Sequence, residues 1–300
     1  MANLFLGASG LYGSTTAIDL LFGFGGLNFE GAATIQRQPT RFYAAEGEYS
    51  VEYTGLGLVY GGPHNAPVGG TITGMTYLQN GVALISLSNV AYDVAALNAA
   101  PTMEARHEIL FAGNDLIEAR NNADDENAIA AGPGNDSVTA GPGADTVFGN
   151  QGSDYLFGNA GKDLLYGGQG DDFIAGGQDE DLVVGNLGSD VLYGNLGADT
   201  IFGGQGDDTI YGGQGDDLIF GGAGSDVLYG NLGADRFVFN PNDGADRIFG
   251  FNQAEGDRLD LLGQNYQVAQ GANGAIVSYT GGTIELIGIA AGAVNAGFFA

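Results

Sequence analysis

Cysteine is absent from the 300 residues, so no disulfide supports the fold and no thiol chemistry is available to it. Basic residues are scarce as well: 8 Lys and Arg stand against 36 Asp and Glu, for a formal net charge of −28. A surface this acidic repels nucleic acid and anionic membrane, which excludes both as partners, and it attracts multivalent cations. No apolar run approaches the ~18 residues of a membrane span. The early apolar residues Leu4, Phe5, Leu6, Leu20, Leu21 and Phe22 are interrupted by glycines, and no Lys or Arg precedes Arg37. That pattern does not fit an N-terminal signal peptide, so an export address is expected elsewhere in the chain.

What the chain has in excess is glycine, 56 residues, far above the ordinary share of roughly 7%. From Ala131 to Val238 the sequence divides without insertion or deletion into twelve nine-residue units, Gly-Gly-x-Gly-x-Asp-x-apolar-x. The sixth position is always aspartate: Asp136, Asp145, Asp154, Asp163, Asp172, Asp181, Asp190, Asp199, Asp208, Asp217, Asp226 and Asp235. The eighth is always apolar, from Val138 through Ile174 and Ile210 to Phe237. A disordered acidic linker has no use for a core residue every ninth position, so the repeat is structural.

The unit dictates its conformation. The glycines of Gly203-Gly204-Gln205-Gly206 supply the φ > 0 geometry of a tight turn, and Asn is the next most tolerant residue at the second position. The three residues Thr209-Ile210-Tyr211 suit a short strand whose middle side chain points inward. Two units then form one coil of a flattened parallel solenoid, and six coils at about 4.8 Å give a roll roughly 29 Å long. Stacking brings aspartates from alternate units together on each edge, where turn carbonyls also converge. Several hard oxygen ligands per gap are what Ca²⁺ requires, whereas Mg²⁺ demands a tighter octahedron. Five gaps on each of two edges predict on the order of ten ions.

These units resemble the RTX (haemolysin-type) nonapeptide calcium-binding repeat family. The resemblance implies a calcium-bound parallel β-roll. It also implies that the ions are held by the twelve aspartates together with carbonyls of the position-four glycines, Gly134, Gly143, Gly152, Gly161, Gly170, Gly188, Gly197, Gly206, Gly215, Gly224 and Gly233. It further implies secretion to the extracellular space or cell surface through type I secretion machinery that reads an uncleaved C-terminal signal. Unit six departs from the pattern with Asp179 at position four, which predicts a distorted site. Units one and two carry Ala131 and Ala140 at position one and Pro133 and Pro142 at position three, and are expected to close the roll.

The whole chain is therefore read as all-β in three parts. Residues 1–109 form a small, mostly β domain: Glu48–Tyr60, Thr71–Leu78 and Val82–Val90 alternate as strands, Gln79-Asn80-Gly81 marks a hairpin, and Asp93 caps a short helix to Ala100. Residues 110–262 are the β-roll with its capping segments. These comprise the motif fragment Gly113-Asn114-Asp115-Leu116-Ile117, a degenerate unit with Asn127 in the aspartate slot, and a further unit at Gly244-Ala245-Asp246 after a two-residue insertion. Residues 263–300 form a β-rich cap with two strand pairs and the expected secretion signal.

No catalytic residue is assigned. His107-Glu108 lacks the second histidine of His-Glu-x-x-His, His64 stands alone, and Gly7-Ala8-Ser9-Gly10-Leu11 fails the Gly-x-Ser-x-Gly elbow at its last position. Glu46, Glu48 and Glu52 read as one solvated strand face, so no enzyme is expected. The leading reading is a self-assembling structural protein of a surface layer, matrix or filament. It rests on position nine, which points outward and is often aromatic, as in Phe148, Tyr166, Tyr193, Tyr211 and Tyr229. The alternatives are an adhesin for cell-surface polysaccharide and, behind it, an RTX-linked hydrolase or lyase.

Overall fold

The computed structural model describes residues 113–119 and 126–300, and before them six stretches of strand backbone: 5–7, 34–38, 41–46, 49–61, 66–79 and 82–93. Among these residues no helix is long and apolar enough to cross a membrane. The early strands are β1 (Phe5–Gly7), β2 (Thr34–Gln38), β3 (Arg41–Glu46), β4 (Tyr49–Gly61), β5 (Ala66–Gln79) and β6 (Val82–Asp93). Then come β7 (Leu116–Ala119), β8 (Glu126–Pro133), β9 (Ser137–Pro142), β10 (Thr146–Gln151), β11 (Tyr155–Ala160), β12 (Leu164–Gln169) and β13 (Phe173–Gln178). The regular series continues with β14 (Leu182–Leu187), β15 (Val191–Leu196), β16 (Thr200–Gln205), β17 (Thr209–Gln214), β18 (Leu218–Ala223) and β19 (Val227–Leu232). The chain ends with β20 (Arg236–Val238), β21 (Ala245–Phe249), β22 (Arg258–Asp260), β23 (Gln267–Gln270), β24 (Gly274–Tyr279) and β25 (Gly282–Ile287).

From β8 to β22 the strands alternate between two sheets. One is ordered β1-β8-β10-β12-β14-β16-β18-β20-β22, and β7-β9-β11-β13-β15-β17-β19-β21 lie together in the other. Every repeat pairing is parallel with an offset of 18 residues, as in Leu156 opposite Ile174 and Ile210 opposite Leu228. Two units make one coil, and the protein is a parallel β-solenoid of about eight turns. The cause is visible inside: all twelve position-eight side chains are fully buried and form two facing columns.

The strands are longer than the three residues read from the repeat. Each runs for six, from position seven through position three of the next unit, and the turn is only positions four to six. The glycines at positions one and two are thus strand residues, with a left-handed residue at position two that bends the strand. Asn150, Asn159, Asn186, Asn195 and Asn231 take this place with φ of 73–81°. Units one and two do not close the roll. A coil precedes them, because β7 pairs parallel with β9 and the backbone of 128–133 pairs with β10 in the regular register.

The N-terminal strands attach to this solenoid. β2 to β6 form an antiparallel meander, β5 and β6 place Gln79 opposite Val82, and β6 pairs antiparallel with β7. Asp93, expected to cap a helix, is the last residue of β6 opposite Thr71, and residues 94–100 lie outside those described. Glu46 and Glu52 belong to two strands, β3 and β4, rather than one. Glu48, Ser9, His64, His107 and Glu108 lie outside the described residues.

At the other end β23, β24 and β25 form an antiparallel meander, matching the two strand pairs expected there, and β25 adds parallel to β21. Phe298 is buried and stacks on Phe251 at 5.1 Å, while the Ala300 N–H donates to the Leu259 carbonyl at 2.9 Å. The last residues of the chain therefore cover the final coil, which would otherwise expose an open strand edge.

The outward aromatic side chains stack along the roll rather than standing free. Tyr193, Tyr211, Tyr229 and Phe249 form a column with centroids 4.6–5.1 Å apart. Where Ala175 interrupts this column, Phe173 from position seven leans into the gap beside Tyr193 at 5.3 Å. On the other sheet Phe148 stacks on Tyr166 and Phe202 on Phe220.

Candidate metal centre

Each aspartate at position six precedes a strand; its backbone is tied to the following coil, and its side chain to the preceding one. The Asp154 carbonyl accepts from the Phe173 N–H, and the Asp154 N–H donates to Asp172 Oδ1, both at 2.8 Å. The second bond recurs 18 residues at a time from Asp136 to Asp235 at 2.7–3.0 Å. The result is a ladder of carboxylates down each edge. All twelve side chains are 0–4% exposed.

Only one oxygen of each carboxylate is used this way. Oδ2 of Asp136, of the position-six aspartates from Asp154 through Asp235, and of Asp246 is buried without a hydrogen-bond partner. Buried polar atoms are ordinarily paired, so a row of orphaned carboxylate oxygens is a row of places for a positive charge. From Asp154 through Asp235 each faces the position-one glycine of its own unit: a Cβ added to Gly149 through Gly230 would lie 2.0–2.4 Å from it. A Cβ on Gly203 would also lie 2.3 Å from the Gly221 carbonyl oxygen of the next coil. Carboxylate oxygen and strand carbonyl therefore converge on a cradle that exists because position one has no side chain.

The position-four glycines stack just as closely. A Cβ on Gly152 would meet the Gly134 carbonyl oxygen at 1.5 Å, and one on Gly206 the Gly188 oxygen at 1.9 Å. Among the described residues no three acidic or histidine side chains gather around one point. The donor set is instead one carboxylate oxygen per turn plus backbone carbonyls, hard oxygens without nitrogen or sulfur, which fits Ca²⁺.

A second ladder runs outside the first. The side chains at position five accept from the N–H of position five in the next coil, as Asn135 does from Ser153 at 3.0 Å and Asp171 from Ser189 at 2.8 Å. Lys162 and Glu180, stacked at the same position on the other edge, form an exposed ion pair at 2.8 Å.

Unit six keeps its geometry. Asp179 adopts φ 72° in place of glycine, and Asp181 accepts from Asp163 and donates to Asp199 as its neighbours do. Units one and two differ at the cradle itself, because fully buried Ala131 and Ala140 place a methyl group at position one.

Sequence reasoning missed three members of the ladder. Asp136 Oδ1 accepts from the Asp115 N–H, Asp246 Oδ1 from Asp226, and Asp257 Oδ1 from Asp235, at offsets of 21, 20 and 22. The signal was present in the motif fragments around Asp115 and Asp246, but their spacing breaks the period of nine. Asp257 ends its edge with both oxygens used, since Oδ2 accepts from the Asn252 N–H at 2.7 Å. The position-one glycines were also overlooked in favour of position four.

Burial raises these carboxyl groups far above their ordinary value, helped by neighbouring carboxylates and opposed by the N–H bond from the adjacent coil. They stand at about 7 for Asp136, Asp154, Asp172, Asp217 and Asp246, and about 8 for Asp181 and Asp208. Asp163, Asp190, Asp199, Asp226 and Asp235 stand at about 6. A raised carboxyl pKa in the folded state means the metal-free roll is favoured below the unfolded value near 4 and loses stability as pH rises through 6 to 8. The calcium-free chain is expected to gain β-structure on acidification from pH 8 to pH 4. The Ca²⁺ midpoint for folding is expected to fall between pH 8 and pH 6, because protons stabilise the same folded roll while the unfolded carboxylates, with values near 4, take up none. Circular dichroism across a pH and calcium grid checks both signs; a midpoint independent of pH would contradict them.

The repeat region matches a known family model. Residues 122–237, in overlapping segments, fit the RTX calcium-binding nonapeptide repeat, which occurs in 4 copies per match. These repeats imply calcium binding. No curated protein matches the chain. Among solved structures, the chain is similar to a subunit of the Azotobacter vinelandii mannuronan C5-epimerase, with 24% identity, 50% of this chain and 80% of that chain covered, and a TM-score of 0.25. It is also similar to an extracellular lipase from Serratia marcescens, with 18% identity and a TM-score of 0.22 over 62% of this chain, and it spans 41% of that lipase.

Proposed function

We propose that this chain, whose residues 122–237 are RTX calcium-binding repeats, is a secreted structural protein that folds around calcium outside the cell. The carrying observation is the row of buried carboxylate oxygens without partners, whose charge bound cations offset once the carboxyl groups ionise. The position-six aspartates and the carbonyls of positions one and four are the proposed ligands, for on the order of ten ions. Units one and two, with their methyl-filled cradles, bind least. Export runs through a type I system that reads the C-terminal segment, and deletion from Gln264 onward should retain the protein inside a cell that carries such an exporter. Normal secretion of that truncation would place the signal elsewhere.

The assembled role is self-association into a surface layer, matrix or filament, without chemistry of its own. Its support is the apolar surface on both faces of the roll, including Phe148, Tyr155, Leu187, Leu196 and Leu232, all at least 40% exposed. Electron microscopy with and without Ca²⁺ tests it: ordered sheets or fibres are expected with calcium, and monodisperse particles would overturn it. A triple variant replacing His64, His107 and Glu108 by Ala should retain that assembly; loss of an enzymatic activity in a folded triple variant would restore the catalytic reading.

A carbohydrate-binding reading has one observation of its own. A groove of about 450 Å³ runs over the glycine floor of β17, between Leu196 and Leu232, with Tyr193, Tyr211, Asn195, Gln214 and Asn231 along it. Amides and phenol edges suit a neutral polysaccharide. The tyrosine faces, however, are stacked on one another rather than open to a sugar ring, which favours the structural role.

A further inference from the structure

The 16-stranded sheet stops at β23, and among the described residues no strand pairs with its outer edge. On the inner side β24 places Ser278 opposite Gln267 and Ala275 opposite Gln270. The hairpin closes where the Gly271 N–H donates to the Gly274 carbonyl at 2.8 Å. Counting back from that bonded pair, the alternation of an antiparallel ladder turns the N–H and C=O of Val268 and Gln270 outward. All four residues of β23 are exposed.

Apart from its short length, this edge lacks the devices that ordinarily blunt one: it has no charge, no proline and no break in register. It is also held in shape. Gln270 Oε1 accepts from the Ala291 N–H at 3.0 Å, and its Nε2 donates to the Gly271 and Gly274 carbonyls. A strand already fixed loses little entropy on pairing.

Charge and sequence select the partner. Of the net charge of −28, residues 263–300 contribute −1, through Glu285 alone. Two copies of so acidic a chain repel one another over most of their surface, and least where cap meets cap. The strand also fits itself. A two-fold axis through Ala269 sets Val268 opposite Gln270 of the second copy and Ala269 opposite its own counterpart. Every outward N–H and C=O of the two strands is then paired. Tyr266 and Val268, 42% and 36% exposed, lie along this edge and would lose apolar surface to the partner.

We propose that β23 is a dimer edge, at which two copies of this chain join cap to cap across a two-fold axis at Ala269 and merge their sheets into one. The contact uses neither face of the roll, so it goes beyond the assembly proposed above and stands or falls apart from it.

The chain has no cysteine, so a single introduced thiol reports on the axis. The two Ala269 Cα atoms would form a non-hydrogen-bonded pair about 4.5 Å apart, within disulfide range. Full-length Ala269→Cys, saturated with Ca²⁺ and treated with a mild thiol oxidant, should therefore cross-link to a dimer. Ala272→Cys, also exposed but facing Tyr266 of the second copy, should cross-link roughly 10-fold more slowly. Adding Val268→Pro to Ala269→Cys should abolish the fast reaction, because proline removes an outward donor that the monomer does not use. Equal rates for the two thiols, or fast cross-linking that survives the proline, would overturn the proposal. The rate comparison decides alone if the proline variant does not fold. Because Val268→Pro leaves the faces of the roll unaltered, electron microscopy of that variant judges the other assembly separately.

Discussion

Stripped of calcium at pH 8, the chain is expected to lose most of its β-sheet circular dichroism and to regain it cooperatively as free Ca²⁺ rises through the millimolar range, with Mg²⁺ unable to substitute. The twelve regular units hold 17 acidic and two basic residues, and the position-six carboxylates are buried in columns. Without a counter-ion these charges repel in a poorly solvated place. Against them stands one inward aliphatic side chain per unit, contributing ~1.5–3 kcal/mol, less than the backbone entropy of ordering nine glycine-rich residues at ~1 kcal/mol or more each. Ions that bind only the folded form shift the balance site by site. With dissociation constants near 10⁻⁴–10⁻³ M, common for extracellular modules, cytosolic calcium leaves the chain unfolded and external calcium folds it. An equally strong β-signal at submicromolar and millimolar calcium would rule this out.

Two alanine substitutions should fail in different ways. Gly206 has φ +126° and its Cβ would fall 1.9 Å from the Gly188 carbonyl oxygen, so Gly206→Ala must both strain the turn and separate two coils. Overlap with backbone leaves no flexible group to move, and a cost of several kcal/mol is expected, at the severe end for single substitutions. Gly221 has an ordinary strand conformation, and the three atoms nearest its Cβ all belong to the Asp226 side chain, with Oδ2 at 2.4 Å. Gly221→Ala therefore fills one ion cradle, as Ala131 and Ala140 do in units one and two. It should bind fewer ions by equilibrium dialysis while its calcium-saturated circular dichroism stays that of the wild type. If Gly221→Ala binds as many ions as the wild type, the position-one cradle is not where calcium sits.

The parts of this fold that were legible in the sequence are those with a strict period. Asp208 and Ile210 recur every nine residues in a pattern that only a two-unit coil satisfies, and Asn195 at position two announced the left-handed bend it makes. What was hidden depends on contacts between coils. That Gly203 is a strand residue facing a carboxylate, rather than part of a turn, follows from its neighbour 18 residues away. Asp115, Asp246 and Asp257 join the ladder by hydrogen bonds at irregular offsets, which no repeat count reveals. That the Tyr279 hydroxyl is buried without a partner is a tertiary fact entirely, because nothing in Val277-Ser278-Tyr279 distinguishes that ring from others in the tail.

The antiparallel meanders at the two ends, β2–β6 and β23–β25, join the same 16-stranded sheet. That makes the number of repeats a matter of parity. Removing or adding 18 residues shortens or lengthens the roll and leaves both meanders on one side. Removing nine sends every later strand to the opposite sheet, so the two meanders would face away from each other while every aspartate still found a partner. The spacing between the end structures is thus free to vary in whole coils, and their relative side is set by whether the count of units is even or odd.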